Sequence, residues 1–262
     1  MSQPVKFEKP PVVEVVFGVL FASQDMLKAA HVGAFWQQVK DKYPRTEDAP
    51  PVPTIVEEPP GAVEWDFLPP LRRTWLLSED GRKLLQVQQD RFLFNWKRTL
   101  ADDLYPSYEV NLAEFEAALA IFEDFLKSTG IPTPGYRQFE LTYVNHITSQ
   151  NGLDLVGIDG VLVDHIRNSQ GPRFLPDAES FNWTTSYPLD KNYGRLHISA
   201  QVASVPESSK MVRLDITASG ISDDISAEGR RRWFDLAHEW ITHGFADVTA
   251  ATLQQQAWGK KA

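Results

Sequence analysis

Cysteine is absent from the 262 residues, which removes disulfides, thiolate zinc sites, iron–sulfur clusters and cysteine nucleophiles in one step. No apolar run is long enough to cross a bilayer, since the stretch from Val12 to Ala22 is short and is broken by Glu14. The opening MSQPVKFEKPPVVEVV has no charged n-region followed by a long apolar core, so no secretory leader is expected. These absences together predict a cytoplasmic protein with no membrane association. No glycine-rich phosphate loop, G-x-S-x-G elbow or kinase signature occurs; VGIDGV lacks the glycine spacing that such loops need. Excess positive charge is missing too. The formal charge is −9, distributed as −6 over residues 1–130 and −3 over residues 131–262. That balance opposes nucleic-acid binding, whose sequence-independent affinity comes from Lys and Arg displacing counterions from phosphates.

What is present belongs to a folded globular chain: 42% hydrophobic residues, 23% charged, and eight Trp. The stretch PVVEVVFGVLFA reads as a buried strand. A helix is expected from about Asp25 to Tyr43, where Val32, Phe35, Trp36, Val39 and Tyr43 share one face and Pro44 ends the run. Eight prolines between residues 44 and 70 remove so many backbone donors that a long loop is expected there. RTWLLSEDGRKLLQVQQDRFLFNWKR then reads as three strands, turning at Ser78–Gly81 and at Gln89–Asp90. The following helix is expected to open at Asn111 with Glu114 completing a capping box, to bury Phe115, Ala118, Leu119, Phe122, Phe125 and Leu126, and to stop at Gly130.

The second half runs in the same order. FELTYVNHI is a strand, 153–166 a weaker helix, and FNWTTSYPLD, YGRLHISAQVASV and MVRLDITASG are strands. A closing helix covers about Ala227 to His243, with Gly244 as its terminator. The expected class is therefore α+β: two pseudo-repeats of strand, helix, strands, helix, in residues 1–130 (with the Pro-rich loop at 44–70) and 131–262, expected to form one compact unit. Curved antiparallel sheet with long helices packed on one face would follow. This element order resembles the TATA-binding-protein-like fold, a likeness of fold that implies nothing about DNA.

Candidate chemistry is sparse. His238 and His243 are five residues apart, so the extra residue rotates one from the other by about 100° relative to a zinc-protease pair, and no metal or cofactor is expected. Asp215 and Glu140 sit in apolar strands and need partners; Arg213, Arg137 or a backbone donor could supply them. The sharpest pattern is QVQQDRFLFNWKR. Alternation places Phe92, Phe94 and Trp96 on a core face and Gln86, Gln88, Asn95 and Lys97 on the other, a face expected to be wet. With Tyr143 and Asn145 from the LTYVNHI strand, these four are the candidate ligand-binding residues. A non-enzymatic binding or interaction protein is the first reading, with a protein or a small polar ligand as partner and a homodimer through a sheet edge as its expected self-association. The alternatives are a hydrolase using Asp, Glu and His across the sheet, and a binder of single-stranded nucleic acid.

QVQQDRFLFNWKR, the opening PPVVEV, LTYVNHI and FDLAHEWITHGF, with Thr249 and Trp258 after it, together resemble a sporadically distributed bacterial family of uncharacterised proteins of about this length. The resemblance spans the chain and brings no activity, cofactor or catalytic residue with it. Its patchy distribution implies an accessory gene of mobile or defence-type clusters.

Overall fold

The computed structural model describes residues 4–53, 72–100, 103–133, 135–165, 174, 180–204 and 210–261. Most of the Pro-rich stretch therefore lies outside the described residues. Nine strands form one antiparallel sheet: β1 (Val12–Phe21), β2 (Arg45–Ala49), β3 (Arg73–Leu77), β4 (Lys83–Gln88), β5 (Arg91–Lys97), β6 (Tyr136–Ile147), β7 (Asn182–Pro188), β8 (Arg195–Ser204) and β9 (Lys210–Gly220). Their order is β2-β3-β4-β5-β1-β6-β9-β8-β7. The helices are α1 (Ala29–Val39), α2 (Tyr108–Ser128), α3 (Leu153–Val156) and α4 (Ala227–Val248). The chain is of the α+β class.

Two compact units divide the chain. One comprises Met1–Val13, Thr142–Ala218 and Asp235–Ala262; the other comprises Glu14–Leu141 and Ser219–Phe234. In the second of these, the period-2 pattern of β1, β4 and β5 sets the register: Phe17 pairs with Phe94, Val19 with Phe92, and Phe92 with Val87. Their side chains meet the helices. Phe17 stacks on Phe115 of α2 at 5.6 Å between ring centroids, Phe92 stacks on Phe122 at 4.9 Å, and Phe35 of α1 meets Phe122 edge-on at 5.2 Å. All five rings are fully buried, so this aromatic layer supplies much of the unit's burial energy.

In the other unit α4 lies over the sheet. Tyr143 stacks on His238 with centroids 6.0 Å apart. A β-carbon on Gly244 would come within 2.9 Å of Leu196 Cδ2, so this helical glycine permits α4 to close onto β8. Trp258 is fully buried and donates its indole N–H to the Asn151 carbonyl at 2.9 Å.

Several expectations change. The loop expected over 44–70 contains strand β2 at its start, which five residues of extended backbone pair with β3. Helix α1 is shorter than expected, Ala29–Val39. Helix α2 begins a turn before Asn111, because Ser107 accepts from Val110 N and caps it. The weak helix over 153–166 breaks into α3 and short 3₁₀ turns. Helix α4 runs through Gly244 to Val248, the glycine serving packing rather than termination.

Candidate functional site

In the second unit, β3, β4 and β5 present to one side Arg73, Trp75, Gln86, Gln88, Arg91, Asn95 and Lys97, with Glu14 beside them on β1; the register pairs Trp75 with Gln86, Gln88 with Arg91, and Glu14 with Lys97. Gln86, Gln88, Asn95 and Lys97 thus share one side of the strands, as the alternation predicts. The expected wetness is not found. Gln86 and Gln88 are 5% exposed, Asn95 2%, and Arg91 3%, while Lys97 is half-buried. At Gln88 and Arg91 the cover comes from 36 and 38 residues upstream, where the main chain of Val52 and Pro53 meets this face. Val52 N donates to Gln88 Oε1 at 2.9 Å, and Gln88 Nε2 donates to Val52 O at 3.0 Å. Arg91 Nη2 donates to Pro53 O at 3.2 Å.

The buried groups are tied into two chains. Gln88 Nε2 also donates to Asp90 Oδ1 (2.9 Å), and Asp90 binds Arg91 through both of its oxygens, at 3.0 and 2.8 Å. In the second chain Gln86 Nε2 donates to Asn95 Oδ1 (2.7 Å), and Asn95 Nδ2 to Glu14 Oε1 (2.5 Å). Glu14 in turn faces Lys97 Nζ at 3.6 Å. Lys97 Nζ and the Arg73 guanidinium both lie over the Trp75 ring, 5.1 and 5.4 Å from its centroid.

Three atoms on this face have no partner: Arg73 Nε, Trp75 Nε1 and Gln86 Oε1 are buried without a hydrogen bond. Each such group costs roughly 1–3 kcal/mol relative to a satisfied one, so an adjacent set of three is an energetic debt at one place. Burial and the nearby Arg91 both push the Arg73 guanidinium below its ordinary range. The sequence reading missed Arg73 and Trp75, although Trp75 shares the parity of the polar face once β3 is paired with β4.

Tyr143 and Asn145 lie elsewhere in the fold's division. They belong to the other compact unit, and on β6 they share the parity of Phe139, Leu141 and Ile147, all fully buried. Tyr143 is stacked on His238, and Asn145 donates to the Leu214 carbonyl at 3.1 Å. Among the acids of apolar strands, Asp215 has the expected partner: Arg213 Nε lies 2.9 Å from each of its oxygens. Glu140 accepts from Gln138 at 2.7 Å. His197 Nδ1 lies 2.8 Å from Ser186 Oγ, and His146 donates its main-chain N–H to Pro11.

The first unit holds a cavity of about 480 Å³ between α4 and β7–β8, lined by Asp164, Asp190, Glu239, His243 and Asp247 together with apolar groups such as Leu196 and Ile198. His238 does not line it, so the two histidines of HEWITH are not brought to one site. No group of three or more potential metal ligands occurs among the described residues, and no helix there is long and apolar enough to cross a membrane. No protein-family model, curated protein or solved structure matches the chain.

Proposed function

We propose that this chain is a non-catalytic binding protein, and that the polar sheet face of Gln86, Gln88, Asn95 and Lys97 holds a small polar ligand. The observation that carries the reading is the trio of buried, unpartnered polar atoms on Arg73, Trp75 and Gln86, set beside the hydrogen-bonded side chains of Gln88, Arg91 and Asn95. A merely structural polar face tends to satisfy all its groups. An accessory, cytoplasmic role in a bacterial mobile or defence-type gene cluster belongs to the same proposal, as does the internal repeat. The strand order favours the repeat: outward from β1 run β5, β4, β3 and β2, and outward from β6 run β9, β8 and β7. Self-association through a sheet edge would use β7, whose exposed residues are uncharged, rather than β2, whose Arg45, Glu47 and Asp48 oppose pairing.

The test is equilibration of the purified full chain with a small-molecule extract of bacterial cytosol, followed by mass spectrometry of what stays bound. A compound retained by the wild type and lost from Gln86→Leu and Asn95→Leu, with both variants folded by circular dichroism, is the expected result. An empty wild type, or identical retention by both variants, would sink the reading. A second reading, a hydrolase, rests on the cavity that gathers Glu239, His243 and three aspartates. Turnover of ester or phosphate model substrates that disappears in His243→Ala would place it first.

A further inference from the structure

The unpartnered atoms define complementary chemistry. Trp75 Nε1 and Arg73 Nε are donors in need of an acceptor, and Gln86 Oε1 is an acceptor in need of a donor. They cannot serve one another in their present positions, although Trp75 and Gln86 are directly opposed across β3 and β4. The direction of the Gln86 amide is fixed, because its Nε2 is committed to Asn95 and Asn95 is committed to Glu14. The charges around it are equally constrained. Lys97 is answered by Glu14 and Arg91 by Asp90, whereas Arg73 faces no carboxylate within ion-pair distance among the described residues. Among the described residues, then, Arg73 is a cation of this face without an answering carboxylate, and Gln86 Oε1 is an acceptor without a donor.

We infer that this place takes a small carboxylate whose neighbouring carbon carries a hydroxyl or amide N–H. The carboxylate accepts from Trp75 Nε1–H and Arg73 Nε–H, and the adjacent donor reaches Gln86 Oε1. Gln88, two residues along the same strand face, already handles an amide in this way: it accepts from the N–H of Val52 and donates to the carbonyl of the same residue. The charge of an anion would also offset the burial and the repulsion from Arg91 that depress the Arg73 guanidinium. The inference rests on the polar face being a ligand site and names what it binds.

The probes are L-lactate and N-acetylglycine, with acetate as the control that lacks the donor, titrated into the ¹⁵N-labelled full chain. The indole N–H resonance of Trp75 is identified by its loss in Trp75→Phe, and the other seven tryptophans serve as internal references. Expected are a saturable shift of that resonance with both probes and binding of acetate weaker by about tenfold or more, since it leaves Gln86 Oε1 unpaired. Arg73→Gln, at a half-buried position, should weaken lactate by a similar factor without altering the remaining tryptophan signals. No saturable shift with either probe, an ordered water only, would overturn the inference; so would equal affinity for acetate, or lactate binding unchanged in Arg73→Gln. If the cytosolic extract yields a ligand that both Gln86→Leu and Asn95→Leu lose while both probes fail, the binding role stands and this ligand class falls.

Discussion

Asn95 is the residue on which the buried polar chain turns. It accepts from Gln86 and donates to Glu14 while almost wholly excluded from water. Asn95→Ala removes both partners at once, leaving the Gln86 N–H without an acceptor inside the protein. A loss of roughly 2–3 kcal/mol of stability is expected, read as a lowered urea midpoint with an unchanged denaturant slope. Asp103 carries a different kind of residue-scale prediction. The Leu100 N–H, then the Thr99 N–H and hydroxyl, then the Arg82 guanidinium hold its carboxyl below the usual range. A depressed folded value means that the unfolded chain binds the proton first as pH falls. The stabilisation is therefore complete above the unfolded value of about 4 and is lost as pH drops through the lower folded one. Asp103→Asn should be less stable than wild type at neutral pH, and the difference should shrink to nothing in strong acid. A gap that stayed constant between about pH 7 and pH 2 would show that the carboxylate's charge is not what counts.

At the scale of elements, α2 shows how two acceptable caps compete. Ser107 and Asn111 are both good N-cap residues, and only Asn111 is followed by Glu at the third position, which makes it the stronger local signal. Packing decides otherwise: Tyr108 is 6% exposed and lies 5.9 Å from Phe17 by ring centroid, so the helix gains burial by starting a turn early. Asn111 is left fully buried with both amide atoms unpartnered. Opposite outcomes follow. Ser107→Ala should cost about 1 kcal/mol through the lost cap, whereas Asn111→Leu should leave stability unchanged or raise it, since an apolar group of similar shape removes two unsatisfied atoms. Thermal unfolding of both variants compares them directly. The same contrast explains what else was legible. The β3–β4–β5 meander, its turns and its two faces follow from period-2 patterning, which is local. That the polar face is covered was not legible, because the covering main chain of Val52 and Pro53 is distant in sequence. The extension of α4 past Gly244 depends likewise on Leu196 across the interface, not on the glycine itself. Tyr143 and Asn145 were legible as core-facing by their parity with Phe139, and grouping them by polarity alone set that parity aside.

At the scale of the whole molecule, net charge weighs against nucleic acid as a partner. The net charge of −9 already opposes a polyanion, and the three consecutive arginines of α4, together with Arg72 and Lys97, are paired with carboxylates. Arg230 lies 3.6 Å from Glu123, Arg231 pairs with Glu116, and Arg232 pairs with Glu228 and Asp224. Arg72 pairs with Asp48, and Lys97 with Glu14. The exposed pairs among these, those of Arg72, Arg231 and Arg232, add little stability, but each carboxylate cancels the field that a phosphate would need and would have to be displaced by it. Counterion release, the main source of non-specific affinity, requires cations free to meet phosphates. Fluorescence anisotropy of a labelled single-stranded oligonucleotide should therefore stay flat as the chain is added at about 50 mM salt, the condition most favourable to binding. Association that weakens steeply as salt is raised would mean that these pairs open readily and that the arginine cluster of α4 is a phosphate-binding surface after all. The triple change Glu116→Gln, Glu123→Gln, Glu228→Gln separates the two accounts: if carboxylate pairing is what silences the cluster, oligonucleotide binding absent from the wild type should emerge in this variant and should be salt-sensitive.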